Sequence, residues 1–167
     1  MNFYHVDRNG TLAANQTIEL IKPNIEPPDM MKTLNELYPN GLSYHGLRYA
    51  ITSYKGLHTD TSTEQIFELY RQMYFPYMPS RFQSFFCFNN LQDALNFSKL
   101  SPKSIIYKAE IEHNNYHIGD MNLLKGETIL QCHKNALDYW NGKLNTNSII
   151  EVLIVPPIHI SGPLILS

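Results

Sequence analysis

The chain has 167 residues, enough for one domain with a sizeable hydrophobic core, and we expect residues 1–167 to form a single domain. A formal net charge of -2 excludes attraction to nucleic acid or membranes through overall charge, although a local basic patch stays open. No apolar run is long enough to span a membrane, and the first residues lack the pattern of a signal peptide. The isolated cysteines, Cys87 and Cys132, favour a reducing compartment and give no zinc pattern. We therefore expect a cytoplasmic protein without a metal site.

The hydrophobic pattern predicts an α+β fold. Apolar residues at helical spacing predict helices at 30–38, 64–73, 91–100 and 130–140. Alternating or continuous apolar runs predict strands at 3–7, in the aromatic second half of 79–88, and at 104–112, 116–122 and 148–155, followed by an edge strand or hairpin arm at 158–160 and 164–166. The segment 42–55 fits no single element. We expect helices mainly in the N-terminal half and strands mainly in the C-terminal half.

The stretch 79–88 combines a buried-strand pattern with polar side chains that a pure core strand does not need. Buried polar groups require partners, and this stretch contains four of them, at Ser80, Arg81, Gln83 and Ser84. Asn89 and Asn90 can cap the helix that follows. A strand with a polar notch beside a helix N-terminus suits a phosphorylated or anionic ligand. The alternative is an ordinary buried strand followed by an ordinary helix.

Glu151 is the one charge in the apolar run 149–155. Strand alternation places it on the same face as Ile149, Leu153 and Val155. A lone carboxylate among aliphatic side chains must be desolvated, paired or functional. The alternative is a glutamate on an edge strand that faces water and limits aggregation.

The segment Glu151-Val152-Leu153-Ile154-Val155-Pro156-Pro157 resembles the catalytic-glutamate strand of ADP-ribosyltransferases. In that family a first strand carries Arg or His, a middle strand carries Ser flanked by aromatics, and a late strand carries Glu. This chain has Phe3-Tyr4-His5-Val6-Asp7-Arg8, then Arg81-Phe82-Gln83-Ser84-Phe85-Phe86, then Glu151, in the same order. The segments Pro79-Ser80-Arg81 and Tyr139-Trp140-x-Gly142 are also similar to small bacterial ADP-ribosyltransferase toxins of phage-defence toxin–antitoxin systems.

The resemblance implies two packed, mainly antiparallel sheets around an NAD cleft. It also implies transfer of ADP-ribose from NAD to a cellular macromolecule, with release of nicotinamide and no metal. Glu151 would be the catalytic residue, stabilising the positive charge that develops on the ribose. His5 would bind the adenosine-side ribose, Ser84 would brace Glu151 or the ribose, and Arg81 would clamp the pyrophosphate. The NAD-contacting set is His5, Tyr4, Arg81, Ser84, Phe85 and Phe86, with Tyr77 as a further stacking candidate.

Two departures from the family pattern matter. The first strand carries His5 where many toxins have Arg, as in the diphtheria-toxin-like branch. A second segment, Tyr44-His45-Gly46, mimics the same motif, and we prefer His5 because it lies in the opening strand. Ile149 stands where members that modify arginine carry a second glutamate, so RNA is the preferred acceptor and protein the alternative.

Two other functions stay open: an NAD glycohydrolase, and a catalytically silent ADP-ribosyltransferase-like binding module. Because a toxin of this kind would harm its own host, the resemblance also implies an antitoxin partner, with or without a chaperone. A cluster of tyrosines between residues 38 and 77 exceeds what one small core easily hides: Tyr38, Tyr44, Tyr49, Tyr54, Tyr70, Tyr74 and Tyr77. Exposed aromatics favour an interface, although these tyrosines could equally line the NAD cleft or the core margin.

Overall fold

The computed structural model describes residues 1–51 and 59–164, which form an α+β domain of two antiparallel sheets and five helices. The strands are β1 (Asn2–Asp7), β2 (Gln16–Ile18), β3 (Phe85–Cys87), β4 (Ile105–Glu110), β5 (Tyr116–Asp120), β6 (Ile150–Ile154) and β7 (Ile158–Pro163). The helices are α1 (Pro28–Leu37), the single turn α2 (Tyr44–Gly46), α3 (Thr59–Tyr74), α4 (Leu91–Ser98) and α5 (Ile129–Trp140). A π-helical turn, Leu47–Ile51, continues α2, and 3₁₀ turns occur at Arg81–Gln83 and Met121–Leu123.

The two sheets pack face to face. The larger has the strand order β1-β4-β7-β2 and the smaller the order β3-β6-β5. A bridge between Tyr4 and Phe88 joins their margins through two backbone hydrogen bonds of 3.0 and 2.7 Å. Apolar side chains from both sheets fill the space between them: Phe3, Cys87, Tyr107, Ala109, Ile111, Val152, Ile154, Ile158 and Ile160. This interior is therefore a packed core.

Helices cover the outer face of each sheet. On the larger sheet, Val6 and Ile106 pack with Ala94 of α4. On the smaller sheet, Leu153 packs with Phe67 of α3 and with α5. Within residues 1–51 and 59–164, no helix combines the length and the apolar character needed to cross a bilayer.

A buried carboxylate fixes the loop that leads into β6. Asp120, at the end of β5, accepts hydrogen bonds from Asn145 Nδ2 at 2.8 Å, from Ser148 Oγ at 2.8 Å and from the Ile149 backbone N–H at 3.3 Å. Since β6 begins at the next residue, these bonds set where that strand enters the sheet.

The structure confirms the α+β class and the antiparallel sheets, and each of the four predicted helices overlaps an observed one. Among the described residues, three of the five helices lie in the N-terminal half and five of the seven strands in the C-terminal half, as expected. Only Phe85–Cys87 of the stretch 79–88 is a strand. Ser80 Oγ accepts from the Phe82 N–H at 3.1 Å and begins a 3₁₀ turn instead. Parts of the predicted segments 42–55 and 164–166 lie outside the described residues.

Candidate functional site

Glu151 occupies the central strand of the smaller sheet and is 3% exposed. It shares a face of β6 with Leu153, which packs under α3 and α5. The alternative of an edge-strand glutamate facing water is therefore wrong. A carboxylate in this position must have partners, because burial of an unpaired charge is very costly.

Arg81 supplies the charge that pairs with Glu151. Its Nη1 donates to Glu151 Oε1 and, at 2.7 Å, to the hydroxyl oxygen of Tyr139. Its Nε and Nη2 donate to the two oxygens of Glu64, both at 2.8 Å. The Tyr139 hydroxyl in turn donates to Glu151 Oε1 at 2.6 Å. Within the described part of the chain, no group donates to the other oxygen of this carboxylate, Oε2.

The opposite charges of Arg81 and its two carboxylate partners stabilise one another's ionised forms. Burial alone would lower the pKa of the Arg81 guanidinium, but the Glu151 and Glu64 carboxylates outweigh it and raise that pKa well above its usual range. Burial opposes ionisation of Glu64, yet Arg81 and His45 hold its pKa well below the usual range. Burial raises the pKa of Tyr139, so its hydroxyl stays a donor to Glu151. Two carboxylates face one guanidinium, which leaves one net negative charge.

His45 borders this group on its more open side. Its Nε2 lies 3.0 Å from Glu64 Oε2, and its ring centroid lies 4.6 Å from that of Phe86. The His45 side chain is 21% exposed, against 3% for Arg81 and 4% for Glu151. We name these five residues, His45, Glu64, Arg81, Tyr139 and Glu151, the Arg81 cluster. A ligand would reach Glu151 most directly past His45.

Two glycines allow the backbone and side chains of the Arg81 cluster to pack closely. Gly46 lets α2 lie against the 3₁₀ turn, because a Cβ there would lie 2.1 Å from the Phe82 carbonyl oxygen. Gly119 lies opposite Glu151 in the β5–β6 register, and a Cβ there would lie 2.3 Å from the Tyr139 ring. Both His45 and Tyr139 therefore depend on a neighbouring position that carries no side chain.

The predicted ligand His5 lies on the other side of β3. Its Nδ1 is 2.7 Å from the Phe86 carbonyl oxygen, and its ring stacks on Phe85 at 4.1 Å. Phe85 and Phe86 point to opposite faces of the sheet, and Phe86 is the one beside Arg81. Burial lowers the pKa of His5, which the Phe86 hydrogen bond offsets only in part. The neutral ring donates from Nδ1, because a carbonyl can only accept, and keeps Nε2 as an acceptor.

The remaining predicted residues divide between several environments. Phe86 lies with the Arg81 cluster, its ring centroid 5.0 Å from the Arg81 guanidinium carbon. Tyr4 is half-buried and packs on the α4 side of β1. Ser84 is 1% exposed and donates to the Ser80 carbonyl at 2.7 Å, with no hydrogen bond to Glu151. Contact of these residues with NAD stays a prediction.

Sequence reasoning missed Glu64 and Tyr139 as partners of the site. From the sequence, Glu64 is predicted only to begin a helix, and Tyr139 is noted only within the motif that resembles ADP-ribosyltransferase toxins. The available signal was weak: Glu64, Phe67 and Glu68 fall on one face of α3, so carboxylates share the apolar face. Nothing in the sequence pairs either residue with Arg81.

The described ranges contain no group of three or more His, Cys, Asp or Glu side chains placed to hold a metal ion. A cavity of about 640 Å³ lies elsewhere, lined in part by Asn2, Thr17, Glu110 and His159. Neither observation adds a ligand to the Arg81 cluster.

Comparison with curated proteins finds no match for the chain. One family model matches residues 3–163, a range that includes the whole Arg81 cluster. That family is described as proteins of unknown function (DUF2441), and the chain belongs to it.

Proposed function

We propose that this protein is an NAD-dependent mono-ADP-ribosyltransferase with an ADP-ribosyltransferase-like fold, in which Glu151 is the catalytic residue. One observation carries the proposal: Glu151 is a buried carboxylate held through Oε1 by Arg81 and Tyr139, while Oε2 has no donor among the described residues. An oriented carboxylate with one free oxygen is the group needed to hydrogen bond a ribose hydroxyl of NAD.

The chemistry needs little beyond this carboxylate. The bond between the anomeric carbon and the nicotinamide nitrogen breaks, and its electron pair leaves with nicotinamide, which becomes neutral. Positive charge develops on the ribose, as in glycoside hydrolysis. Glu151 opposes that charge, and a nucleophile of the acceptor then bonds to the anomeric carbon and loses its proton. The net negative charge of Glu64, Arg81 and Glu151 supports this role, because it lies in a poorly solvated site.

Ile149, two residues before Glu151, is 46% exposed and offers no second carboxylate. We therefore keep RNA as the preferred acceptor and protein as the alternative. If water took the acceptor's place, the same centre would act as an NAD glycohydrolase.

A specific observation favours a second candidate, the catalytically silent binding module. Arg81 and Glu151 are 2% and 3% exposed, and they form an ion pair with each other. A centre closed in this way can be a structural ion pair whose role is to define the fold. NAD contact with the Arg81 guanidinium would require its present pairs to open.

The fate of labelled NAD separates these functions. Purified protein would be incubated with NAD labelled on adenine, with and without bacterial RNA and protein. Label on a macromolecule supports the transferase, and nuclease or protease treatment identifies the acceptor. Free ADP-ribose indicates the glycohydrolase. Intact NAD after prolonged incubation with both acceptors would contradict both enzymatic functions.

Replacing His45 with alanine should weaken NAD binding more than replacing His5. The sequence favoured His5, but His45 is the histidine that lies beside Glu64 and the Arg81 cluster. Loss of one hydrogen-bonding contact would raise the NAD dissociation constant by roughly tenfold. Calorimetric titration of both variants measures it. A larger loss from His5→Ala would restore the first-strand assignment and contradict His45 as the entry-side residue.

We also propose an antitoxin partner, with or without a chaperone. Of the tyrosines that suggested an interface, Tyr44 in α2 is 77% exposed, whereas Tyr38 is buried. Tyr54 lies outside the described residues. Expression of the chain alone in a bacterial host should arrest growth, and Glu151→Gln should relieve the arrest. Harmless accumulation of soluble protein that turns over NAD would remove both the partner and the toxin assignment.

A further inference from the structure

Helix α3 buries most of its charged side chains and exposes several of its apolar ones, although Phe67 is fully buried. After Asp60, its charged residues point inward: Glu64, Glu68 and Arg71 are 8%, 2% and 9% exposed. Its large apolar residues toward the C-terminal end point outward, with Leu69 at 56%, Met73 at 68% and Tyr74 at 55% exposed. A surface helix normally shows the opposite arrangement.

A second buried network holds the helix in this orientation. Glu68 accepts from Arg71 Nε and Nη2 and from the Tyr38 hydroxyl. Arg71 Nη1 also donates to the Pro76 and Met78 carbonyl oxygens, at 3.3 and 3.2 Å. These bonds fix both the helix and the loop that follows it. If α3 rotated to bring its apolar side chains inward, the Glu68–Arg71 pair would turn with it, but the hydrogen bonds to Tyr38, Pro76 and Met78 would break.

Tyr70 links the exposed apolar side chains of α3 and α5, because its ring centroid lies 5.7 Å from that of Tyr74 and it lines a surface hollow with Ile129 and Leu130. Tyr77, 98% exposed, lies in the loop that Arg71 holds. On the other side, the Tyr70 hydroxyl is 2.5 Å from His133 Nδ1 and connects α3 to the N-terminal half of α5. There, Ile129 and Leu130 are 70% and 75% exposed. We name the six exposed side chains the α3–α5 face: Leu69, Met73, Tyr74, Tyr77, Ile129 and Leu130.

The size of the α3–α5 face matches one side of a stable interface. With a residue area of about 200 Å², the six exposed fractions amount to roughly 800 Å². A standard interface buries about 800 Å² per partner, whereas the largest apolar patch of a typical monomer is about 300–600 Å². The exposed area of these six residues is therefore enough for one side of such an interface.

We propose that the α3–α5 face is a two-fold interface with a second copy of this chain. In a two-fold interface the same surface meets itself, so any net charge on it would face its own sign. The six residues carry no charge, and the charges of α5 at the rim, Lys134 and Asp138, pair with each other at 2.7 Å. Tyrosine and methionine are enriched in interface cores, and charged residues are depleted there. Nucleic acid would require a positive surface, which this face lacks.

The oligomeric state of the full chain tests this proposal, independently of any NAD chemistry. Sedimentation velocity over a micromolar concentration series should give a dimer. Leu69→Glu combined with Met73→Glu should raise the dimer dissociation constant at least about tenfold, because each charge enters the interface twice. Ile129→Glu, at the other end of the face, should act in the same direction.

Leu100→Glu is the matched control, since Leu100 is 72% exposed and follows α4 on the opposite side of the molecule. It should leave the dimer unchanged. Circular dichroism shows whether each variant is folded, and the two independent variants keep the test decisive if one of them is not. A monomer at all concentrations, including one that binds only a different protein through this face, would overturn the proposal. So would a dimer that neither variant weakens.

Discussion

Glu151→Gln should lower NAD turnover by about 10²–10³-fold while the protein stays folded. Glutamine keeps the shape of the side chain and an oxygen that can accept from Arg81 and Tyr139, which both donate to Glu151 Oε1. It removes the negative charge that would oppose the developing charge on the ribose. It also places an NH₂ group where Oε2 would accept a ribose hydroxyl.

Nicotinamide release measures the effect, with circular dichroism and thermal unfolding as checks on the fold. Glu112→Gln is the matched control, because Glu112 is exposed in the turn after β4. The control should retain wild-type turnover. If Glu151→Gln is folded and keeps activity within about tenfold of wild type, Glu151 is not the catalytic carboxylate.

Local patterns were sufficient to find Glu151 but not its partners. Strand alternation identified one charge in an apolar run, and its burial agrees with that reasoning. Arg81 is 70 residues away in sequence and Tyr139 belongs to a helix. Periodicity reports which face a residue occupies, whereas pairing across elements depends on how the elements dock. The same limit applies to Glu64, which reaches Arg81 from α3.

The histidines illustrate a different limit. His5 was favoured because it lies in the opening strand, and that strand forms as predicted. Yet β1 belongs to the larger sheet, and the His5 ring meets Phe85, whereas the Arg81 cluster lies on the Phe86 side. Sheet membership and the side of a neighbouring strand are tertiary properties that no local motif encodes.

Helix α3 departs from the rule that the apolar face of a helix packs on the core. The helical spacing of Ile66, Phe67 and Tyr70 predicted one apolar face toward the core. Phe67 is fully buried, but Ile66 and Tyr70 are only half-buried. The buried face is shared with charged side chains whose partners lie elsewhere in the chain. Amphipathicity predicts the buried face of a helix when its charged side chains are best solvated by water. In α3 they instead pair with charged and polar groups inside the protein, so they are buried.

Arg81→Ala should destabilise the protein by about 3–5 kcal/mol, a large fraction of the roughly 5–15 kcal/mol that stabilises a typical domain. Removing the guanidinium leaves Glu151 buried without its counter-charge and leaves Glu64 with His45 as its remaining ion-pair partner. It also leaves space where the side chain packs between Phe86 and Tyr139. Urea unfolding measures the loss. Arg8→Ala is the control, because Arg8 is exposed and its guanidinium lies over the Phe97 ring, far from any buried carboxylate of the Arg81 cluster. It should change stability by less than about 1 kcal/mol.

A triple variant separates the unpaired charges from the lost packing. Arg81→Met combined with Glu64→Gln and Glu151→Gln fills part of the volume and removes every formal charge that Arg81 pairs with. Replacement of a whole buried charge set is often neutral, whereas removal of one partner is not. The triple variant should therefore recover most of the stability that Arg81→Ala loses, yet release no nicotinamide from NAD. If it is as unstable as Arg81→Ala, the guanidinium stabilises the fold through its packing, and the carboxylates do not depend on its charge.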